Sequence, residues 1–159
     1  MSIFVRTHQV RIRAPVQAVF DYVSDLTRHP EWNGGLKIEA VSPGPVAVGK
    51  EYVSHGVVAT QKNRPNTVQV TEYAPPCKFS FVSQDPDFGK VFHAFDFTEQ
   101  DGAVMITRTM TLSLGLLASI PFRLLIYPLI GRRLMNRSMT ALKSRLEDAE
   151  QSEPLKTVS

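Results

Sequence analysis

The sequence contains a single cysteine, Cys77, in 159 residues. One thiol excludes an intramolecular disulfide and a zinc site built on several cysteines, and it is typical of a protein from a reducing compartment. The amino-terminal segment also lacks a continuous apolar run, because Arg6, Arg11 and Arg13 interrupt it. We therefore predict that the chain has no secretory signal and is cytoplasmic.

Several motifs that carry enzyme chemistry are also missing. The chain has no glycine-rich phosphate loop, no nucleophile elbow and no cysteine–histidine dyad. No two of its four histidines are separated by the two or four positions typical of metal motifs, so we expect no metal and no other cofactor. The formal net charge of +3 is modest, and no dense basic face with interleaved aromatics indicates nucleic-acid binding.

The first 35 residues predict a strand followed by two short helices. Residues 3 to 13 alternate in polarity, and this period of two is typical of a half-buried strand. Pro15 suits the first position of a helix, and the residues after it recur at the spacing of one helical face, namely Val16, Val19, Phe20 and Val23. The helix ends before Pro30, and the Asn-Gly-Gly run at 33–35 ends a short second helix.

The rest of the chain predicts six more strands and a long terminal helix. The strand-like runs are LKIEAVS, KEYVSHGVV, NTVQVTEYA, KFSFVSQ, KVFHAFDFTEQ and AVMITRTMTLSL. Short turn signals separate these runs and favour successive antiparallel hairpins. Apolar residues near helical spacing from Pro121 to Gln151 predict one helix, kinked near Pro128. We expect a single domain at 1–151 and a polar tail at 152–159.

The segment His29-Pro30-Glu31-Trp32 brings a histidine, a glutamate and the only tryptophan within four positions. A catalytic acid–base pair is one interpretation, but a surface turn exposes His29 and Glu31 to solvent, and nothing nearby supplies a nucleophile. We predict that both side chains are exposed and dispensable. Trp32 precedes two glycines that would turn the chain inward, so we predict that it is buried, as core or at a cavity entrance.

The order of these elements resembles the helix-grip superfamily, also called SRPBCC or START-like, which includes START lipid-transfer domains, pollen-allergen-like proteins and the polyketide cyclase/dehydrase and lipid transport family. The resemblance covers nearly the whole chain and is most specific in VRIRAPVQAVFDYVSDLTRHPEWNGG at 10–35. Softer matches are VGKEY at 48–52, VTEYAPPCKFSF at 70–81, FDFTEQDGAVMITR at 95–108 and LKSRLE at 142–147. One departure is Gly102-Ala103, where family patterns often have Gly-Thr.

The resemblance implies an α+β helix-grip fold. In this fold, a curved antiparallel seven-stranded sheet wraps around a long C-terminal helix, with two short helices after the first strand. Members hold hydrophobic molecules in a cavity between the sheet and that helix. We therefore expect this chain to bind or transfer a small hydrophobic molecule, such as a lipid, a polyketide or a sterol-like compound. The expected lining residues are Trp32, Tyr52, Ser54, Phe79, Phe81, His93, Phe95, Phe97, Met105, Met135 and Met139.

Two other functions stay open at this stage. In a cyclase or dehydratase-type enzyme, His93 would move protons with the help of a cavity hydroxyl such as that of Tyr52. His93 is the only catalytic candidate, because it alternates in phase with Val91, Phe95 and Phe97. The third interpretation is a protein-interaction or stress-associated module with a vestigial cavity. The sequence leaves the ligand and the oligomeric state open.

The apolar stretch 112–130 contains only Arg123 as a charge and approaches the length of a membrane span. Because Pro121 and Pro128 divide it and its start continues a strand, we predict no transmembrane helix. We expect a partly exposed lip beside the cavity instead, formed by Leu116, Leu117, Ile120 and Phe122.

A basic segment follows this stretch, with Arg132, Arg133 and Arg137 within six positions. No acidic residue occurs between Asp101 and Glu147, so this region carries only positive charge. Such a combination of apolar and basic residues favours peripheral contact with an anionic membrane, although a solvated helix face is the plainer interpretation.

Overall fold

The structure, a computed structural model, describes residues 2–58, 61–85 and 89–152, with side chains described outside 56–64, 85–88 and 116–118. The strands are β1 (Ser2–Ile12), β2 (Leu36–Ala40), β3 (Glu51–Val58), β4 (Gln61–Ala74), β5 (Lys78–Asp85), β6 (Gly89–Gln100) and β7 (Ala103–Leu114). The helices are α1 (Val16–Ser24), a 3₁₀ helix (Leu26–Glu31), α2 (Leu116–Pro121), a π helix (Phe122–Gly131) and α3 (Arg132–Gln151).

The seven strands form one antiparallel sheet in the order β1-β7-β6-β5-β4-β3-β2. Strands β2 to β7 therefore follow one another as a meander, and β1 returns to pair with β7. The turn between β6 and β7 holds Asp101 at φ 49° and Gly102 at φ 67°, the positive values that a tight hairpin turn requires. The predicted helix-grip architecture is confirmed.

The main core lies between the sheet and the helices α1 and α3. The face of α1 predicted from its spacing is buried, since Val19, Phe20 and Val23 are fully covered. Phe20 packs edge-on against Phe97 of β6, with 5.2 Å between the ring centroids. The apolar residues of α3 that enter the core are Met139, Leu142 and Leu146.

The chain after β7 is helical from Leu116 to Gln151, but as three consecutive segments rather than one regular helix. Pro128 lies within the π-helical segment. Tyr127 of this segment joins a second, smaller apolar cluster with Phe4, Leu112 and Leu114. Its hydroxyl is hydrogen-bonded to His8 Nε2 at 2.6 Å, which ties the π helix to β1.

Among the described residues, no helix has both the length and the apolar character needed to cross a bilayer. Leu116 and Leu117 of the predicted lip lie outside the described side chains. Residues 153–159 of the predicted tail are likewise outside the described range, and Gln151 is the last residue of α3.

Candidate functional site

A cavity of about 280 Å³ lies between the sheet and the segment that links the 3₁₀ helix to β2. This volume is slightly below the roughly 300–1,000 Å³ typical of small-molecule pockets. Its apolar lining consists of Leu36, Ile38, Val68, Phe81 and Val91, and its polar lining of His29, Asn33, Ser54, Asn66, Ser83, His93 and Arg108. This combination of apolar side chains with convergent polar groups suits a small hydrophobic molecule that carries polar atoms.

Arg108 is the most unusual residue of this cavity, because its side chain is only 4% exposed. It lies opposite His8 of β1 and Phe95 of β6, so it shares the inward face of β7 with Ile106. Its Nε and Nη1 atoms are buried and have no hydrogen-bond partner. No carboxylate of the described residues forms an ion pair with it.

The charge of Arg108 is only partly compensated by its surroundings. Burial lowers the pKa of the guanidinium to about 10, so the group remains positively charged at neutral pH. Its central carbon lies 5.7 Å from the ring centroid of Trp32 and 5.3 Å from that of Phe95. Such cation–π contacts contribute about 2 kcal/mol when desolvated. Burying an ion costs several kcal/mol, so the cation–π contacts offset only part of that cost. An unbalanced positive charge therefore remains at the cavity wall.

His29 is buried, and the prediction that it lies exposed on a turn is wrong. Its side chain is 1% exposed, and Nε2 donates a hydrogen bond to the Val23 carbonyl oxygen at 2.7 Å. The reason is the three-residue repeat of the 3₁₀ helix, which places Leu26, His29 and Trp32 on one inward face. Burial lowers the pKa of His29 to about 3, so the ring is neutral at physiological pH.

Glu31 lies on the outer face of the same 3₁₀ helix and is exposed, as predicted. Its Oε2 accepts a hydrogen bond from the Tyr22 hydroxyl at 2.8 Å, and its Oε1 pairs with Arg28. Glu31 therefore stabilises the outer side of the 3₁₀ helix through these two contacts, and it does not form an acid–base pair with His29.

His93 lines the cavity, as its alternation along β6 predicts. Its ring stacks on Phe81, with centroids 4.7 Å apart and an interplanar angle of 26°. The Nδ1 atom is buried and has no hydrogen-bond partner. Burial, followed by the charge of Arg108, lowers the pKa of His93 well below its usual value, so this ring is also neutral.

Trp32 is 2% exposed, which confirms the prediction that it is buried. Its ring packs against His29 with 4.6 Å between centroids, and its Nε1 atom is buried without a partner. It lies behind the cavity wall, beside Arg108, and is not itself among the residues that line the cavity.

The other predicted lining residues fall into three groups. Ser54, Phe81 and His93 line the cavity. The side chains that belong to the main core instead are Tyr52, Phe79, Phe95, Phe97 and Met139. Met135 is half-buried on α3, and Met105 pairs with Thr98 on the face of the sheet opposite to Phe97 and Ile106.

No described residue of α3 lines the cavity, although the predicted cavity lies between the sheet and that helix. The reason is that Met139, Leu142 and Leu146 pack directly into the main core and fill that space. Arg108 was not among the residues predicted from the sequence, yet its position on β7, two residues after Ile106, indicates an inward side chain. A charged residue in phase with an inward apolar face must either line a cavity or be paired.

Outside the cavity, exposed side chains of α2, the π helix and the first turn of α3 form a surface that we call the apolar helical surface. These residues are 47% to 69% exposed, and they are Ile120, Leu124, Leu125, Ile126, Leu129, Ile130 and Leu134. Arg132, Arg133 and Arg137 are exposed beside them. Phe122 of the predicted lip is instead half-buried against Phe4, with ring centroids 5.1 Å apart.

Comparisons with known proteins agree with this architecture. The family model described as "Polyketide cyclase / dehydrase and lipid transport" matches residues 5–147. No curated protein matches the sequence significantly.

Solved structures similar to this chain share its fold at low sequence identity. Protein Ms6760 from Mycobacterium smegmatis is 18% identical, with a TM-score of 0.65 over 91% of this chain and 92% of that chain. A conserved protein from Geobacillus kaustophilus is 14% identical, with a TM-score of 0.70 over 92% and 97%. The di-domain ARO/CYC StfQ from the steffimycin biosynthetic pathway is 9% identical, with a TM-score of 0.73 over 94% of this chain and 52% of that chain.

Proposed function

This chain belongs to the polyketide cyclase/dehydrase and lipid transport family, and we propose that it binds a small hydrophobic molecule in the cavity beside Arg108 and His93. The family supports a ligand-binding or cyclase role. The observation that carries the proposal is the 280 Å³ cavity, whose wall combines apolar side chains with convergent polar groups.

The test is to fill the cavity and measure binding of a neutral hydrophobic probe. Val91 lines the cavity, whereas the next residue, Phe92, is 47% exposed on the other face of β6. N-phenyl-1-naphthylamine, whose fluorescence rises in apolar sites, should bind the wild type and Phe92→Trp equally. Val91→Trp should weaken binding by about tenfold or more, since a filled site loses most of the apolar contact. Equal binding by all three proteins would count against the cavity.

Catalysis by His93 is a second candidate function, favoured by the buried and unpartnered Nδ1 atom in the cavity wall. A neutral imidazole in that position could accept or donate a proton on a poly-β-ketone substrate. A cyclase should change the product distribution of a reconstituted poly-β-ketone synthesis, and His93→Gln should abolish that change while keeping the probe affinity. If the products are unchanged when the wild type is present, the cyclase function is refuted and only the binding function remains.

We also propose that the apolar helical surface contacts an anionic membrane while the ligand is exchanged. Seven exposed apolar side chains lie beside three exposed arginines in a region without acidic residues. Each basic residue near an anionic surface contributes about 1 kcal/mol, so three could raise binding roughly a hundredfold at low salt.

Vesicle sedimentation tests this contact. Wild type should pellet with vesicles of phosphatidylglycerol and phosphatidylcholine but weakly with phosphatidylcholine alone. The triple change of Arg132, Arg133 and Arg137 to Gln should abolish the difference. A control with the same charge change elsewhere, Arg11→Gln with Lys37→Gln and Lys78→Gln, should retain it. Wild type that ignores anionic vesicles at low salt would refute the proposal.

A further inference from the structure

The inner wall of the cavity has a positive charge that nothing in the described part of the chain balances. Arg108 is buried there, with two guanidinium nitrogens unpartnered. The side chains of His29 and His93 also line the cavity, and as neutral imidazoles they do not balance this charge. Asp25 acts electrostatically on His29, but its Oδ1 already accepts hydrogen bonds from the backbone and the hydroxyl of Thr27.

We infer that the molecule bound in this cavity carries a carboxylate, which Arg108 binds at the inner wall while the hydrophobic part lies against Val68, Phe81 and Val91. This inference rests on the proposed function, because it names the chemical class of the ligand for the same cavity. The carboxylate would supply the counter-charge to the guanidinium, which lines the cavity and has two nitrogens without a partner.

A carboxylate fits this wall better than the other oxygen groups of hydrophobic molecules. A ketone or hydroxyl would accept hydrogen bonds but leave the charge of Arg108 unbalanced. A phosphate carries up to two charges, whereas Arg108 is the only cationic side chain among the described lining residues. The two oxygens of a carboxylate also match the planar fork of a guanidinium.

The size of the cavity limits the hydrophobic part of the ligand. An apolar cavity of about 150 Å³ accommodates benzene, and this cavity measures about 280 Å³. A short acyl chain or a bicyclic aromatic acid is therefore a suitable occupant, and these two sources of the same carboxylate can be separated by using both as probes.

The experiment compares acids with their neutral amides by isothermal titration calorimetry. The probe pairs are octanoate with octanamide, and 2-naphthoate with 2-naphthamide. Wild type should bind at least one acid about 10- to 100-fold more tightly than its amide, the range expected for a charged hydrogen-bonded pair. Trp32, the only tryptophan, lies beside Arg108, so a change in its emission on adding octanoate would report binding at this site.

Variants assign the preference to Arg108. Arg108→Gln should reduce the ratio of acid to amide affinity to about one, and Arg108→Lys should retain part of it because the charge remains without the planar fork. Arg11→Gln, an exposed arginine on β1, makes the same charge change and should leave the ratio unaltered.

The outcomes separate this inference from the proposed function. If the wild type binds the amides as tightly as the acids, the carboxylate inference is refuted and the hydrophobic cavity stands. A preference that persists in Arg108→Gln would also refute it. If neither acids nor amides bind, the inference fails, and the binding of N-phenyl-1-naphthylamine decides whether the hydrophobic cavity stands. The wild-type comparison alone decides the question if Arg108→Gln does not fold.

Discussion

At the residue scale, the candidate site combines one buried cation and two neutral imidazoles with apolar and uncharged polar side chains. Arg108 remains charged because burial lowers its pKa only to about 10. His29 and His93 lose their charge because their usual pKa lies close to neutrality and burial lowers it further. The same desolvation therefore leaves the arginine available to bind an anion and the histidines available as neutral hydrogen-bonding groups.

The buried His29 predicts a dependence of stability on pH. Its pKa is about 3 in the folded protein and near 6.5 when unfolded, so the unfolded state binds the proton first as pH falls. The unfolding free energy therefore has its full value above about pH 6.5, where His29 is mostly neutral in both states, and it declines below that pH. Between pH 7 and pH 5, His29 alone should lower the unfolding free energy by about 2 kcal/mol. Denaturant unfolding measured at both pH values checks this.

His29→Gln is the matched variant for that measurement. Its unfolding free energy should fall by about 2 kcal/mol less than that of the wild type between the same pH values. His8 and His93 also have lowered pKa values from burial, so some dependence on pH should remain. Identical slopes for the variant and the wild type would contradict the assignment of a buried neutral His29.

At the scale of elements, two unusual helices determine what is buried and what is exposed. The 3₁₀ helix Leu26–Glu31 turns every third residue inward and thereby brings His29 to the cavity. The π helix Phe122–Gly131 buries Tyr127 but leaves most of its other apolar side chains exposed. Both helices depart from the regular α-helical period. The 3₁₀ helix lies next to the cavity and the π helix forms part of the apolar helical surface, and we propose a function for each of these two places.

Gly131 at the end of the π helix should resist substitution by alanine. A Cβ atom at this position would lie 2.7 Å from Tyr127 Cδ2. Tyr127 cannot shift freely, because it is hydrogen-bonded to His8 and packs against Phe4 with 4.9 Å between centroids. Overpacking costs about 1–3 kcal/mol, and alanine regains about 1 kcal/mol of helix propensity. We expect Gly131→Ala to lower the unfolding free energy by up to about 2 kcal/mol in denaturant titrations.

Gly34→Ala provides the control for Gly131. No atom lies within 4 Å of a Cβ at Gly34, and its backbone is not in the left-handed region. Its stability should be unchanged or higher by up to about 1 kcal/mol. If Gly131→Ala stabilises the protein as much as Gly34→Ala does, the close packing on Tyr127 is not a constraint.

At the scale of the whole molecule, the described apolar core consists of two clusters of unequal size. The larger cluster unites the sheet, α1 and α3. The smaller one, built on Phe4, Leu112, Leu114 and Tyr127, attaches the π helix to β1 and β7. Because fewer buried contacts hold the π helix, it should open without unfolding the rest of the protein.

Hydrogen exchange can test this difference in local stability. Amides of Phe122–Gly131 should exchange faster than those of Val104–Arg108 in the centre of the sheet. Tyr127→Phe, which removes the hydrogen bond to His8, should accelerate exchange in Phe122–Gly131 further and leave Val104–Arg108 unaffected. Equal protection of the two segments in the wild type would show that the molecule opens as one unit.

The sequence by itself was sufficient for the architecture of this protein. Alternation with a period of two and short turn signals predicted all seven strands and the successive antiparallel hairpins from β2 to β7, because these signals are local. The seven-stranded sheet as a whole was implied by the family resemblance. The inward phase of His93 followed from the same alternation, and the inward face of α1 followed from helical spacing. The burial of Trp32 was predicted from the two turn glycines that follow it. The family was predicted from residues 10–35, where proline, glycine and apolar spacing together form a specific pattern.

The tertiary structure alone decided the chemistry of the cavity. The burial of His29 depends on the three-residue period of the 3₁₀ helix, and the sequence did not distinguish this helix from a turn. The spacing of Arg108 from Ile106 indicated the inward face, but only the structure showed that no carboxylate of the described residues pairs with it there. The position of the cavity depended on how α3 fills the core. These features arise from contacts between residues far apart in the chain, and local spacing carries no information about whether a charge will find a partner there.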